Sequence, residues 1–419
     1  MRVLLIKTSS MGDVIHTLPA VTDARQAIPG IQFDWVVEEG FAEIPAWHPA
    51  VAEVIPVAIR RWRKHPLRAA WSGEWKRFKA RVGATRYDAI IDAQGLLKSA
   101  WLTRYADGPI IGLDRDSARE PVASRFYDVQ CDVPWGQHAV ERVRLLFARA
   151  LGYSLPTSIG HYGLDRQALA GAAAERPFVL FLHGTTWSSK HWPEVYWKQL
   201  AERTAQSGLD VRLPWGNANE KARAERIAAG LEGVSVLPKT SLAGMARLLA
   251  SASGCVAVDT GLGHLAAALD VPTVSLFGPT DPVLTGAYGF SQLHLASDYP
   301  SCTPCLQKTC SYQPTPAEAR QFEGFHRLSA FVLHDIKNLI AQQSVLIGTA
   351  AKHKHKPEFV DDMIEIMQHS VAKMQRLMQL MRTGLVDSKQ VSANLVIAAS
   401  DAVGNCSGGR PVPVFDPQT

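Results

Sequence analysis

The chain has 419 residues, 47% of them hydrophobic and 20% charged, so it is long enough to bury the cores of two or three globular domains. Its formal net charge of +5 is too small to indicate nucleic-acid binding, and we expect no nucleic-acid partner. No stretch approaches the roughly 18 uninterrupted apolar residues of a membrane-spanning helix. The sequence starts with MRVLLIKTSS, which predicts a strand and not a leader peptide, so we expect a cytoplasmic protein with free thiols.

Short apolar runs alternate with helical patterns through most of the chain. RVLLI, FDWVVE and YDAIIDA come first, and after a polar, Ala-rich stretch follow PFVLFLHG, DVRLPWG, VSVLP, GCVAVDTG and TVSLFGP. Strands that alternate with helices in this way indicate βαβ units and parallel sheets. We therefore predict an α/β fold of two Rossmann-like domains, over residues 1–165 and 176–318.

The pattern changes after Phe322, where strand-like runs end and apolar residues recur at helical spacing. The basic stretch KHKHKP, whose proline breaks helices, separates two such segments. This arrangement predicts a C-terminal α-helical hairpin over residues 322–385. Residues 386–419 become rich in glycine and proline and predict an irregular tail.

The first strand leads into KTSSMGDVIHTLP, a turn of small residues that is followed by a helix. In open α/β sheets, ligands bind beyond the carboxyl ends of the strands, and Gly12 would allow close approach of the backbone. Asp13 lies at or near the start of the helix. It could cap that helix or act as a general base that faces a cleft, and its position alone leaves both roles open.

A second strand-to-helix turn, DTGLGHLAAA, begins at Asp259. Two glycines follow the strand end, and an Ala- and Leu-rich helix begins near His264. The free backbone N–H groups at such a helix start form a binding site for a diphosphate. A G-x-G pattern alone is common in such turns, but the aspartate before it and the histidine after it make the signal more specific.

Several motifs, taken together and in this order, resemble the lipopolysaccharide heptosyltransferase I family within glycosyltransferase family 9. They are SSMGDVIHTLPA, DAQGLLKSA, SAREP, QHAVER, GTTWSSKHWP and VDTGLGHLAAALDVPTVSLFGPTDP, and the likeness covers residues 1–315. The resemblance implies the GT-B fold, in which two Rossmann-like domains face a cleft. It also implies an inverting, metal-independent enzyme without a cofactor, which moves L-glycero-D-manno-heptose from its ADP derivative to the Kdo of Kdo-lipid A.

The resemblance further implies roles for individual residues. Asp13 would be the catalytic base that deprotonates the Kdo hydroxyl, and Lys190 would neutralise the leaving diphosphate. Glu220 would hold the ribose hydroxyls, and Asp259 would hold the heptose hydroxyls. The other residues predicted to bind ADP-heptose are Thr185, Thr186, Ser188, Thr260, Gly261, Leu262, Gly263 and His264.

The basic run RRWRKH, which starts at Arg60, is by default a solvated loop. The carboxylates and phosphates of Kdo-lipid A at an anionic membrane would instead favour clustered basic side chains. The resemblance therefore predicts that the acceptor is bound by Arg60, Arg61, Arg63, Lys64 and Arg119. It also predicts a protein that is peripheral to the cytoplasmic face of the inner membrane.

Two further patterns suggest metals, and we expect none at either. Asp114 and Asp116 in DRD resemble the acidic motif of other glycosyltransferases, but a basic side chain and a helix start would already serve the diphosphate. Cys302, Cys305 and Cys310 are only three of the four ligands that a structural zinc needs, and no paired C-x-x-C occurs elsewhere. Free thiols in a loop are the simpler interpretation.

The stretch LHDIKNLIAQ, from Leu333, lies in the predicted C-terminal hairpin. His334 and Asn338 share one helical face and Asp335 follows the histidine, which resembles the phosphoacceptor helix of PEP-CTERM-type sensor histidine kinases. The resemblance implies a module for phosphotransfer and dimerisation, so the chain could form a homodimer. Residues 386–419 are too few for an ATP-binding domain, and we expect any phosphate to come from a separate kinase domain.

Two alternatives to a heptosyltransferase I stay open at this point. In one, the chain is a signalling protein whose His334 receives phosphate and whose α/β part senses a ligand. In the other, it is a heptosyltransferase II-type enzyme, because acceptor choice depends on loops whose structure the sequence does not provide.

Overall fold

A computed structural model describes residues 1–65, 71–171, 174–296 and 302–310 of the chain. These residues belong to one unit of contacting residues, Met1–Tyr312. The predicted hairpin over residues 322–385 and the tail over 386–419 lie outside the described residues. Strands and helices alternate from the first described strand to the last, as expected for βαβ units.

The first sheet has six parallel strands in the spatial order β3-β2-β1-β4-β5-β6. They are β1 (Arg2–Ile6), β2 (Gln32–Glu38), β3 (Val51–Val57), β4 (Ala89–Asp92), β5 (Ile110–Leu113) and β6 (Val129–Cys131). Four of the five residues of β1 are fully buried, because both faces of the sheet are covered. Burial on both faces explains why β1 is a continuous apolar run and not an alternating one.

Short helices connect these strands. They are α1 (Met11–Ile15), α2 (Leu18–Ala27), α3 (Glu43–Ala46), α4 (Ile59–Lys64), α5 (Glu74–Val82), α6 (Leu97–Thr103) and α7 (Ala139–Leu151). The His138 side chain caps α7 by accepting a hydrogen bond from the N–H of Val140, and Gly152 ends the helix in the left-handed conformation. Where α2 packs on α7, buried Arg144 donates to Asp23 over 2.7 Å.

The second sheet repeats this topology, with six parallel strands in the order β12-β11-β10-β7-β8-β9. They are β7 (Phe178–Leu182), β8 (Asp210–Leu213), β9 (Val234–Val236), β10 (Gly254–Val258), β11 (Thr273–Phe277) and β12 (Gln292–Ala296). The helices are α8 (Arg166–Leu169), α9 (Glu194–Gln206), α10 (Ala218–Ala228), α11 (Leu242–Ser251), α12 (Gly261–Ala268) and α13 (Pro282–Thr285). We call each sheet with its helices the first-sheet half and the second-sheet half.

Each sheet reverses its strand order at one place, where ligands bind in open α/β folds. In the first-sheet half the reversal lies between β1 and β4, and in the second-sheet half between β7 and β10. The turns after Ile6, Asp92, Leu182 and Val258 flank these two positions. The halves contact each other where α1 packs against α12, which brings the turn after β1 close to the turn after β10.

The prediction of two parallel α/β sheets is confirmed, although four strands lie outside the runs that predicted them. These are β3, β5, β6 and β12. Strand β3 contains Pro56 and is only partly buried, and two of the three residues of β6 are exposed. Three of the four missed strands, β3, β6 and β12, are edge strands, where the apolar signal is weak and a missing backbone N–H is tolerated.

None of the helices in the described ranges combines the length and the apolar composition that crossing a bilayer requires.

Candidate active site

Asp13 occupies the first turn of α1, just beyond the carboxyl end of β1. Its Oδ2 accepts hydrogen bonds from the N–H and the hydroxyl of Ser10, over 2.6 and 2.8 Å. The carboxylate therefore caps α1, which is one of the two roles that its position suggested. The residue stays partly exposed, and both of these bonds use Oδ2 and not Oδ1.

Gln94, in the turn after β4, holds the segment that leads into α1. Its amide oxygen accepts from the N–H and the hydroxyl of Thr8, over 2.7 and 2.9 Å. Its amide N–H donates to the Ser9 carbonyl over 2.6 Å. The two turns at the first switch point therefore support each other.

Lys98, in the first turn of α6, places a cation next to this turn. Sequence reasoning did not select this residue. Its Nζ donates to Ser9 Oγ over 3.1 Å. The pKa of Lys98 is lowered, mainly by burial and then by the charge of Arg60. The carboxylates of Glu38 and Asp13 oppose this shift. These charged groups therefore lie near Lys98. The available signal was the DAQGLLKSA motif, which contains both Gln94 and Lys98.

Lys190 and Asp259 form an ion pair at the switch point of the second-sheet half. Lys190 Nζ lies 2.6 Å from Asp259 Oδ2, and the two side chains are only 15% and 9% exposed. The lysine comes from a 3-10 turn after β7, and the aspartate directly follows β10. The ammonium also stands over the Trp187 ring, 4.3 Å from its centroid. The predicted diphosphate cation is thus held by the predicted sugar-binding carboxylate.

Two threonines fix Asp259 further. Thr280 Oγ1 donates to Asp259 Oδ2 over 2.6 Å, and Thr185 Oγ1 donates to the Asp259 carbonyl over 3.1 Å. The side chain of Thr186, the next residue after Thr185, is exposed to solvent. Thr280 was not selected from the sequence, although it lies in the GPTDP motif.

The segment 302–310 lies against the 3-10 turn that carries Lys190. The Ser188 hydroxyl and the Ser189 N–H donate to the Lys308 carbonyl over 3.1 and 3.2 Å. The Lys308 ammonium stands 6.0 Å from the centroid of Trp187, the ring that Lys190 also contacts. The structure therefore brings a second lysine, which sequence reasoning missed, to the same indole.

Glu220 lies at the same edge of the second sheet. Its carboxylate accepts from the N–H of Gly216 over 2.7 Å, and its own N–H donates to the capping side chain of Asn217. A Cβ atom at Gly184 would come within 2.9 Å of Glu220 Cδ, so the carboxylate packs against the end of β7. Glu220 is therefore adjacent to the loop that carries Thr185.

The start of α12 faces α1. Its cap and first turn are formed by Thr260, Gly261, Leu262, Gly263 and His264. A Cβ on Gly12 would come within 2.8 Å of His264 Cδ2, and one on Gly261 would come within 2.8 Å of Met11 Sδ. Only glycine permits this approach, which brings the helix of Asp13 onto the helix start predicted to bind the diphosphate.

The predicted acceptor residues of the basic run lie on α4, and all four are exposed: Arg60, Arg61, Arg63 and Lys64. Arg61 forms ion pairs with Glu39 and Glu74 over 2.9 and 3.0 Å, and the hydrogen bonds to these carboxylates raise its pKa. Arg61 therefore ties α4 to the start of α5. A phosphate or carboxylate of an acceptor would have to compete with two carboxylates for it.

A cleft of about 520 Å³ opens beside α4. It is lined by Glu38, Glu39, Gly40, Phe41, Arg60, Arg61, Lys64 and His65. The Arg60 guanidinium stands over the Phe41 ring, 5.5 Å from the centroid. Basic side chains and carboxylates therefore line this cleft together.

Arg119 belongs to another loop of the first-sheet half, between β5 and β6. Its backbone nitrogen would lie 3.5 Å from a Cβ at Gly95, and the next N–H, of Glu120, donates to the Gly95 carbonyl over 3.1 Å. The side chain is exposed beside the turn after β4. The structure therefore brings Arg119 toward the same switch point as Asp13.

Within the described ranges, no group of His, Cys, Asp and Glu side chains is arranged to hold a metal ion. Cys302, Cys305 and Cys310 are free thiols. Asp114 accepts a hydrogen bond from the N–H of Ser117 over 2.8 Å, which is a turn-stabilising contact. His334, Asp335 and Asn338 lie outside the described residues, so their role stays a prediction from the sequence.

Two parallel Rossmann-like sheets of the same topology, in contact at α1 and α12, are consistent with the GT-B fold of glycosyltransferases. The sequence profile of glycosyltransferase family 9 (heptosyltransferase) matches residues 75–315. Lipopolysaccharide heptosyltransferase 1 of Pseudomonas aeruginosa is 69% identical over 324 residues, which are 77% of this chain and 91% of that protein. The chain therefore belongs to glycosyltransferase family 9, and the prediction of a glycosyltransferase is confirmed.

Solved structures show the same relationship. Escherichia coli heptosyltransferase WaaC with ADP aligns with a TM-score of 0.69 and 52% identity, covering 78% of this chain and 100% of that one. WaaC with ADP-2-deoxy-2-fluoro heptose aligns with a TM-score of 0.67 and 51% identity, covering 77% of this chain and 98% of that one. The two-sheet fold described above is consistent with these structures.

Proposed function

We propose that this protein is an inverting lipopolysaccharide heptosyltransferase of type I. It moves L-glycero-D-manno-heptose from ADP-heptose to a Kdo hydroxyl of Kdo-lipid A and releases ADP. The WaaC structures with ADP and with a fluorinated ADP-heptose support this donor. The 69% identity to a heptosyltransferase 1 favours type I over type II and over a signalling protein.

The observation that carries the proposal is the close contact of α1 with α12. Gly12 approaches His264 so closely that a Cβ would lie 2.8 Å from the ring. Asp13 is the next residue after Gly12, and Asp259 with its partner Lys190 lies just before α12. A base for an acceptor hydroxyl and a cation for a diphosphate would therefore adjoin one crevice.

The reaction needs a proton acceptor and charge stabilisation on the leaving group. Asp13 takes the proton of the Kdo hydroxyl, whose oxygen attacks the anomeric carbon of heptose from the face opposite the diphosphate. The bond from that carbon to the diphosphate oxygen breaks, and ADP leaves with the electron pair. Lys190 and the free N–H groups at the start of α12 meet the charge that develops on the diphosphate. These groups can replace a metal ion, and we propose that none is needed.

On the acceptor side we propose that exposed basic residues bind the carboxylate and phosphates of Kdo-lipid A. They are Arg60, Arg61, Arg63, Lys64 and Arg119, and Lys98 joins them from the first turn of α6. We further propose that the protein attaches peripherally to the cytoplasmic face of the inner membrane, where such a lipid would be met. Sedimentation with anionic vesicles at low and high salt tests this attachment, and protein that stays in the supernatant at both salts contradicts it.

Replacement of Asp13 by asparagine tests the proposal directly. Asparagine can still accept the bonds from Ser10 but cannot take up a proton, so the melting temperature should change little. We expect kcat to fall by about 10²–10⁴-fold, the usual contribution of a general base. ADP release and the mass of the heptosylated lipid are measured with ADP-heptose and Kdo-lipid A.

Asp165→Asn is the matched control, because Asp165 also accepts backbone N–H bonds at the start of a short helix. It should keep wild-type turnover. A wild-type protein that releases no ADP, or an Asp13→Asn variant as active as the Asp165→Asn control, would contradict the proposed function.

For the residues outside the described ranges, the phosphoacceptor role of His334 and a homodimer through the hairpin stay predictions. Labelled phosphate from a supplied kinase ATP-binding domain should reach the wild-type chain and not His334→Ala. Label that persists in His334→Ala would contradict the phosphoacceptor role. A monomer in light scattering would contradict the homodimer.

A further inference from the structure

Two buried histidines join the two halves beside the proposed active site. His16 directly follows α1, and His264 lies in α12. His16 Nε2 and His264 Nδ1 are 3.1 Å apart, and the rings meet edge to face with centroids 4.5 Å apart. The two residues are only 4% and 8% exposed, so water does not compete for this hydrogen bond.

The contact continues from His264 to the donor-side carboxylate. His264 Nε2 lies 3.8 Å from Asp259 Oδ1. The other oxygen, Oδ2, already receives Lys190 Nζ and the Thr280 hydroxyl, each at 2.6 Å. Asp259 therefore has two donors on one oxygen and an imidazole facing the other.

The Asp259 carboxylate determines which nitrogen of His264 carries the proton. A neutral imidazole has one N–H and one lone pair, and a nearby carboxylate favours the N–H on the nitrogen that faces it. His264 Nε2 then carries the proton and Nδ1 accepts. In this tautomer His16 Nε2 donates to His264 Nδ1, and the N–H of His264 faces Asp259 Oδ1 at 3.8 Å, an electrostatic contact that is longer than a hydrogen bond.

A third histidine packs against this pair without competing for it. The His138 ring centroid is 5.5 Å from that of His16. Its Nε2 donates to the Gly286 carbonyl over 3.1 Å, and its Nδ1 accepts from the N–H of Val140, so both nitrogens are used. Burial lowers the pKa of His16, His138 and His264, which favours the neutral form of each ring.

We infer that His16 and His264 are positioning residues that hold the Asp259 carboxylate when Lys190 turns from it to the donor diphosphate. This inference rests on the proposed function. A diphosphate draws the ammonium away, which would leave Asp259 with Thr280 and the imidazole. His264 keeps Oδ1 oriented toward the sugar, and His16 keeps His264 in the tautomer that can donate.

As a consequence, the donor site of the second-sheet half depends on a residue of the first-sheet half. Asp259 belongs to the second-sheet half, but the residue that orients its imidazole neighbour belongs to the first-sheet half. The donor site is therefore complete only when α1 is seated on α12. This couples the use of the sugar donor to the position of the helix that carries Asp13.

His16→Phe and His16→Gln separate this role from a packing role. Phenylalanine keeps a flat ring but removes the donor, whereas glutamine keeps an N–H donor near the position of Nε2. We expect His16→Phe to lower kcat/KM for ADP-heptose by about tenfold, the effect of one lost hydrogen bond in a charged network. His16→Gln should recover most of that loss. Affinity for ADP, which lacks the sugar, should not change in calorimetry.

His48→Phe is the matched control in the same half. His48 is also buried and hydrogen-bonded, to Thr22 Oγ1 over 2.9 Å and to the N–H of Ala50 over 3.1 Å. It should lower the melting temperature as His16→Phe does, while kcat/KM for ADP-heptose stays at the wild-type value.

A double-mutant cycle with Asp259→Asn completes the test. If His16 acts through Asp259, the double variant should be no less active than Asp259→Asn alone, because coupled residues are not additive. Additive losses, no rescue by glutamine, or equal activity of His16→Phe and His48→Phe would each overturn the inference. A wild-type protein without ADP-heptose turnover would instead overturn the proposed function, so the two failures are distinguishable.

Discussion

At the scale of single residues, Lys190 has one anionic partner in the structure, and the proposed function gives it a second one that excludes the first. In the structure its ammonium lies 2.6 Å from the Asp259 carboxylate, in a site where both side chains are mostly buried. A diphosphate carries more negative charge than one carboxylate and binds an ammonium by charge-assisted hydrogen bonds. Lys190 therefore holds Asp259 before the donor binds and would neutralise the leaving group afterwards.

Replacement of Lys190 by glutamine should weaken ADP binding by about tenfold or more, because a charge-assisted contact becomes a neutral one. The Asp259 carboxylate would also lose its cation while it stays buried, so the free energy of unfolding should fall. Calorimetry with ADP and urea unfolding measure the two effects.

Lys79→Gln is the control for this substitution. The Lys79 ammonium also stands over an indole, that of Trp75 at 5.9 Å, but it lies in the first-sheet half. It should leave ADP affinity unchanged. If Lys190→Gln binds ADP as tightly as Lys79→Gln does, Lys190 does not serve the diphosphate.

At the scale of elements, the contact of α1 with α12 depends on two glycines. A methyl group on Gly12 would lie 2.8 Å from a His264 ring atom, and that ring is held by His16 and faces Asp259. On Gly261 the overlap would be with the Met11 side chain, which is more flexible. Gly12 is therefore the position at which this contact is most easily forced apart.

Gly12→Ala should destabilise the protein and reduce turnover. Alanine favours a helix over glycine by up to about 1 kcal/mol, but overlap with a buried, held ring costs about 1–3 kcal/mol, so the clash should outweigh the gain. Urea unfolding and kcat with ADP-heptose are the measurements.

Gly171→Ala is the comparison for this change, since among the described residues a Cβ there would meet only Ser251 Oγ, at 3.9 Å. It should be close to neutral in both assays. Equal behaviour of the two alanine variants would show that α1 and α12 do not need this close approach.

At the scale of the whole molecule, buried histidines make stability depend on pH. Burial lowers the pKa of His48, His138 and His183 to about 4. In the unfolded chain a histidine has a pKa near 6.5, so as pH falls the unfolded state takes up these protons first. The stability from keeping them neutral is complete above about pH 6.5 and is lost as pH falls toward 4.

The free energy of unfolding should therefore decrease from pH 6.5 to pH 4, by about 1.4 kcal/mol per pH unit for each such histidine. His48→Phe removes one of them, so its curve should be flatter by one proton. Urea unfolding at several pH values measures the slopes, and parallel curves for wild type and His48→Phe would contradict this account.

Much of the fold follows from local sequence because burial leaves a local pattern. Strands such as β1, β7 and β10 are covered on both faces, so they are continuous apolar runs between polar turns. Edge strands such as β6 bury little and carry no comparable pattern. The polar turns that follow β1, β7 and β10 also contain the residues that the resemblance selected, because the ends of parallel strands are where ligands bind.

The sequence by itself determined the parallel α/β class, the family and the position of Asp13 and Asp259 just beyond strand ends, since each rests on residues that are close along the chain. Only the tertiary structure decided which turns meet. His16 and His264 are separated by 248 positions, and their hydrogen bond exists because α1 packs on α12. The ion pairs of Lys190 with Asp259 and of Arg61 with Glu39 and Glu74 also join residues that are far apart in the sequence, so the sequence did not predict them. Such contacts depend on how separate elements pack, and no local periodicity records that packing.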